Sequence, residues 1–102
     1  MEAGVRQLEI AGTSTMHPNA ALIRVHHPHV TLDDNGSPVI AGTRIPVRRI
    51  WSWNQKGVPV DTLVKRYPQL GPAKVMAALA FAHDNRELIE VDLAYEKKLI
   101  GA

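Results

Sequence analysis

A chain of 102 residues, 45% hydrophobic and 22% charged, has the length of one small domain rather than two and the composition of a globular protein rather than a disordered one. It contains no cysteine, which excludes disulfides, thiol nucleophiles, iron–sulfur clusters and zinc sites built on Cys, and which fits a reducing compartment. The formal net charge of +2 conceals a gradient: residues 1–43 carry −2, residues 44–82 carry +6 with Asp61 as their one acid, and residues 83–102 carry −2. A basic centre between acidic ends can attract a polyanion, and it can equally be a solvated surface with no partner. No apolar stretch is long enough to span a bilayer. Residues 1–10 lack an apolar signal core, so a cytoplasmic location is expected and a membrane partner is not.

Residues 1–25 read as an N-terminal arm or strand, with Val5, Leu8 and Ile10 as the main apolar residues of its first twenty positions. Leu22, Ile23 and Val25 predict a strand that stops near Pro28. Val30-Thr31-Leu32 and Pro38-Val39-Ile40 flank Asp33-Asp34-Asn35-Gly36, which predicts a small hairpin over residues 29–41. Its turn signal is Asn-Gly, because both residues tolerate positive φ, and Pro38 belongs at an edge because it cannot donate to a ladder.

Three proline-led helical patterns follow. Pro46 opens a first helix running towards Gly57, with Val47, Ile50 and Trp51 on one face. Pro59 opens a second over residues 60–67, with Val60, Leu63, Val64 and Tyr67 on one face and Pro68 ending it. Pro72 opens a third, alanine-rich helix whose broad apolar face includes Val75, Met76, Leu79, Phe81 and Ala82. Leu88, Val91, Leu93, Tyr95, Leu99 and Ile100 continue an apolar pattern in a last helical segment, either continuous with the third helix or bent from it.

Three short helices, with a tight Pro68-Gln69-Leu70-Gly71 turn between the second and third, predict a helix-turn-helix unit. In such a unit the start of the last helix enters a DNA major groove. Here that start is Gly71-Pro72-Ala73-Lys74, where Lys74 is the one phosphate ligand and no Arg, Asn or Gln is placed to read base edges. The third helix therefore reads as a core and dimer element rather than a base reader.

The run Gly36-Ser37-Pro38-Val39-Ile40-Ala41-Gly42-Thr43-Arg44-Ile45-Pro46-Val47 closely resembles the signature of the prokaryotic family called domain of unknown function 433. The similarity continues through Ile50, Gly57, the Tyr67-Pro68-x-Leu70 turn and Ala77-Ala78-Leu79-Ala80, and covers roughly residues 26–85. The resemblance implies a mainly α fold: a homeodomain-like three-helix (helix-turn-helix) domain at residues 26–85 with a small N-terminal β-hairpin; residues 1–25 and 86–102 lie outside it, and the C-terminal helical segment at 86–102 rests on its apolar pattern alone. It also implies an antitoxin of a type II toxin–antitoxin pair, one that neutralises a PIN-like ribonuclease toxin and represses its own transcription by binding operator DNA as a homodimer. The alternative is a non-catalytic protein-interaction module of homeodomain-like fold that does not bind DNA.

The candidate residues divide between those two partners. Arg44, Arg48, Arg49, Lys65, Arg66 and Lys74 are the candidate DNA ligands, since phosphate contacts need exposed cations. Arg48 and Arg49 can equally lie on a solvated helix face. Gly42-Thr43-Arg44 can cradle an anion with backbone N–H groups and a guanidinium. The same residues can instead form a structural corner, with Thr43 bonding the local backbone and Arg44 pairing Asp33 or Asp34. Trp53, Leu88, Val91 and Tyr95 are the candidate partner contacts. Trp53 could also sit at the rim of the core, while Trp51 packs inside it. The His26, His27 and His29 cluster makes a poor metal site because Pro28 disturbs its geometry, and no metal or cofactor is expected. No nucleophile–base pair emerges, so the chain is not expected to be an enzyme.

Overall fold

The computed structural model describes residues 17–101. The arm residues Val5, Leu8 and Ile10 lie outside the described residues. Pro18–Leu22 is a short 3-10 helix, entered at His17, whose Nδ1 accepts the Asn19 N–H at 3.0 Å. The strand expected through Leu22, Ile23 and Val25 is absent: Leu22 ends the 3-10 turn, and Arg24 and Val25 lie in no ladder. Strand propensity needs a neighbouring strand to be realised, and the Arg24 and Val25 N–H groups bond a side chain, Asn85, instead.

The hairpin forms as expected. Strands β1 (Val30–Leu32) and β2 (Pro38–Ile40) pair antiparallel, with Val30 opposite Ile40 and Leu32 opposite Pro38. The turn works differently from the Asn-Gly reading. Gly36 adopts positive φ (+79°) and Asn35 does not. The Gly36 N–H donates to the Asp33 carbonyl, and the Asp33 carboxylate accepts from the N–H groups of Asn35 and Ser37. Asp at the first position and Gly at the fourth is the chemistry of a type I turn, with glycine absorbing the left-handed residue. Pro38 is the first residue of its strand, where a missing N–H is tolerated.

Four helices follow: α1 (Val47–Gln55), α2 (Val60–Arg66), α3 (Gly71–Asp84) and α4 (Arg86–Gly101). Pro46 stands at the N-cap of α1, one position before the first turn expected for it, Pro59 stands at the N-cap of α2 directly ahead of the expected start at residue 60, and Pro72 lies within the first turn of α3. Gly57 follows α1 with φ +99°, its N–H bonded to the Asn54 carbonyl. The tight turn before α3 closes with the Leu70 N–H on the Tyr67 carbonyl. Helices three and four are separate: Asn85, at φ −134° and ψ 50°, breaks the helix between them.

One apolar core joins these pieces. Ile40 comes from β2, Val47, Ile50 and Trp51 from α1, Leu63 from α2, Val75, Ala78, Leu79, Phe81 and Ala82 from α3, and Leu88 and Ile89 from α4. The fold is therefore mainly helical: three helices in helix-turn-helix order, a two-stranded hairpin in front and a C-terminal helix behind. The core crosses the boundary drawn at residue 86, because the first two turns of α4 bury Leu88, Ile89 and Asp92. No described helix is long and apolar enough to cross a membrane.

Candidate functional site

The signature segment builds a corner. The Gly42 φ of +79° turns the chain, the Thr43 hydroxyl donates to the Ile40 carbonyl at 2.8 Å, and it accepts the Ile45 N–H at 3.0 Å. Val39 then bridges Pro46, so the chain entering α1 folds back on β2. Thr43 is thus satisfied by local backbone, as the structural reading of this motif requires. Arg44 is exposed and makes no ion pair among the described residues. Together with Asp33, Asp34, Asn35, Val39 and Thr43 it lines an open cleft of about 380 Å³.

Arg48 is committed internally. Its Nη1 donates to Asp92 Oδ2 at 2.9 Å, and its Nε lies 3.3 Å from Glu96 Oε2, a charge-pairing distance without hydrogen-bond alignment. Asp92 is 1% exposed and also accepts the Ser37 hydroxyl at 2.5 Å. Burial opposes the Arg48 cation, but the hydrogen bond and charge of Asp92, then the nearby charge of Glu96, outweigh it and hold its pKa above the ordinary arginine value. A guanidinium so paired joins the hairpin turn, α1 and α4, and has little capacity left for a phosphate.

The remaining cations are presented outwards. Arg49 (α1), Lys56 (just after α1), Lys65 and Arg66 (end of α2) are exposed, and Lys74 (first turn of α3) is half-exposed. None makes an ion pair among the described residues. Trp53 is half-buried against the core, and two cations lie over its ring: Arg66 Cζ at 4.5 Å from the centroid and Lys56 Nζ at 5.4 Å. Lys56 is a surface cation that the sequence reading passed over; its spacing of three residues from Trp53 on a helical pattern was the available signal.

The exposed surface of α3 is Pro72, Ala73, Met76, Ala80, His83 and Asp84, small or apolar over its first three turns. Met76 and Pro72 border a groove of about 450 Å³ shared with Val60, Asp61, Val64 and Lys65 of α2. Of the α4 candidates, Val91 and Tyr95 are exposed (40% and 39%), continuous with Leu99 and Ile100. Leu88, expected as a partner contact, is instead fully buried in the core, because the helix turns that position inwards with Ile89 and Asp92.

The histidines are dispersed. His27 Nε2 stands 2.9 Å from Asp84 Oδ2 and its ring packs edge-on against Phe81, while His26 and His29 are exposed. His83 meets the buried Trp51 ring edge-on, with Arg86 stacked on the same Trp. Among the described residues no group of three His, Cys, Asp or Glu is placed to hold a metal ion.

A hairpin leading into a helix-turn-helix unit defines a small, mainly helical protein whose first two helices present exposed cations that make no ion pair among the described residues. Residues 35–82 match the family model DUF433, described as a protein of unknown function, and that span holds the signature corner and α1 to α3 up to Ala82. The similarity is narrower than the 26–85 read from the sequence, leaving β1 outside it. No curated protein and no solved structure matches the chain.

Proposed function

We propose that this chain is a non-catalytic, cytoplasmic regulatory protein: the antitoxin of a type II toxin–antitoxin pair that neutralises a PIN-like ribonuclease toxin and binds operator DNA as a homodimer. The observation that carries the reading is electrostatic. Within the DUF433-like segment Arg44, Arg49, Lys56, Lys65 and Arg66 are exposed without a carboxylate partner among the described residues, whereas nine of the ten acidic residues lie outside residues 44–82. A polyanion binds such a surface by releasing counterions. A mobility-shift assay on the DNA upstream of the gene tests the DNA half: a shift that fades with salt is expected, and no shift at low salt overturns it. Co-expression with a neighbouring PIN-like reading frame tests the other half, with loss of ribonuclease toxicity and co-purification expected.

A second reading, a protein-interaction module that does not touch DNA, is favoured by one observation. The exposed face of α3, where a helix-turn-helix protein reads bases, offers Pro72, Ala73, Met76 and Ala80 and no base-reading side chain. Toxin binding with no DNA shift selects this reading. To locate the toxin contact, residues 94–102 are removed rather than 86–102, since a cut at 86 would strip Leu88, Ile89 and Asp92 from the core.

A further inference from the structure

We infer that the face shared by α1 and the end of α2, made of Arg49, Trp53, Lys56 and Arg66, is a phosphate-gripping surface for double-helical nucleic acid. The inference rests on the DNA-binding half of the function proposed above and names the face that carries it. Arg49 and Trp53 are one helical turn apart on α1 and so share a face. Lys56 lies over the same ring from just beyond the helix, and Arg66 reaches it from the end of α2. The Trp53 ring therefore holds two cations from separate segments in a common place, and stacking on an aromatic face limits the rotamers each long side chain must give up on binding.

Three features select a phosphodiester backbone over other occupants. The cations have no carboxylate partner among the described residues, so their charge is available. The Trp53 ring is packed on the core and overlaid by Lys56 and Arg66, so it is not open to stack an unpaired base, which disfavours a single strand. It is likewise not open as the apolar anchor that a protein interface places at its centre. Point cations without such an anchor suit the regularly spaced charges of a duplex. The grip then falls on the α1–α2 face, while the start of α3 contributes Lys74 alone.

The test uses the full chain and a labelled random-sequence duplex, with binding followed by fluorescence anisotropy across a salt titration. The double variant Lys56→Gln/Arg66→Gln is compared with Lys97→Gln/Lys98→Gln on α4, which removes the same charge from another exposed face. Loss of two phosphate contacts lowers the slope of log affinity against log salt by about 1.8, equivalent to a roughly twelvefold smaller affinity change over a fourfold salt increase. The α4 variant is expected to leave the slope unchanged. Trp53→Leu, which keeps an apolar side chain against the core but removes the ring, is expected to weaken binding while unfolding at nearly the wild-type temperature.

Wild-type binding with an unchanged slope in the Lys56/Arg66 variant overturns this inference and leaves the DNA-binding reading standing. Equal losses in both charge variants also overturn it, because net charge rather than this face would then govern binding. Absence of wild-type binding overturns both. Polyglutamate bound through Lys56 and Arg66 in preference to the duplex overturns it in favour of an acidic protein partner.

Discussion

The side-chain amide of Asn85 meets the backbone of Val25 as a paired strand would: Oδ1 accepts the Val25 N–H at 2.9 Å and Nδ2 donates to the Val25 carbonyl at 2.8 Å. The same amide accepts the Arg24 N–H and donates to the Phe81 carbonyl at 3.0 Å, so each of its donor and acceptor positions is used. One fully buried residue thus ends α3 and ties the segment ahead of the hairpin to the junction of α3 and α4.

Asn85→Ala should lower stability by about 2 kcal/mol, because it strands buried polar groups. Asn85→Asp should be worse, since it aims a second oxygen at the Val25 and Phe81 carbonyls. Thermal unfolding measures both. Hydrogen exchange checks the cause: the Arg24 and Val25 amides should lose protection in Asn85→Ala ahead of the hairpin amides, and protection that stays put would remove this account.

Arg48 and Asp92 should behave as a unit. Either single change to Ala leaves the other charge poorly compensated and should cost about 3–5 kcal/mol, whereas Arg48→Met with Asp92→Leu should recover much of the loss. A double-mutant cycle in urea measures the coupling, and additive losses would argue against it. The pH dependence follows from the raised pKa of Arg48. A cation favoured in the folded state contributes stability that is complete below the ordinary arginine range and is lost only as pH rises through the still higher folded value. Replacing Arg48 by Met, compared at constant residue 92, should therefore add no slope of its own titration across the neutral range.

Gly36 should tolerate substitution worse than Gly57, although both have positive φ. An added Cβ at Gly36 meets the His17 ring and Asn19 Nδ2, whose amide also donates to the Gly36 carbonyl at 3.1 Å. A Cβ at Gly57 meets nothing within 4 Å. Gly57→Ala should cost roughly 1–2 kcal/mol from the backbone alone. Gly36→Ala should exceed it and displace the 3-10 segment, visible as chemical-shift changes at residues 17–20. Equal losses at the two sites would contradict the contact.

On α4, burial separates residues that the sequence grouped. Leu88→Ala should cost about 2–5 kcal/mol, as a core truncation does. Val91→Ala and Tyr95→Ala should stay within roughly 0.5–1 kcal/mol of wild type, since both side chains are substantially exposed. Toxin neutralisation assays on the latter two variants then report on the surface rather than on folding.

The signature run and its punctuation were legible because they act locally. Proline sets φ, among the described residues glycine alone enters the left-handed region, at Gly36, Gly42, Gly57 and Gly71, and Asp33 and Thr43 bond their own neighbourhoods. Period and helix propensity placed α1, α2 and α3 within a residue or two. The strand expected at Leu22, Ile23 and Val25 failed because strand formation depends on what lies alongside, and here an asparagine sixty residues away takes the N–H group of Val25.

The candidate cations show the same division. Their number and their concentration in residues 44–82 are properties of the sequence by itself, as are the hairpin, the helix order and the family resemblance. Which of them is available is a tertiary property. Arg48 and Arg49 are adjacent and chemically identical, yet a helix turns successive residues about 100° apart, so Arg48 reaches the buried Asp92 and Arg49 faces water. The approach of Arg66 to Trp53 and the inward turn of Leu88 likewise come from helices packed together. Charge and turn chemistry are written residue by residue; pairing and burial depend on distances between segments far apart in the chain, and only the packed fold sets those distances.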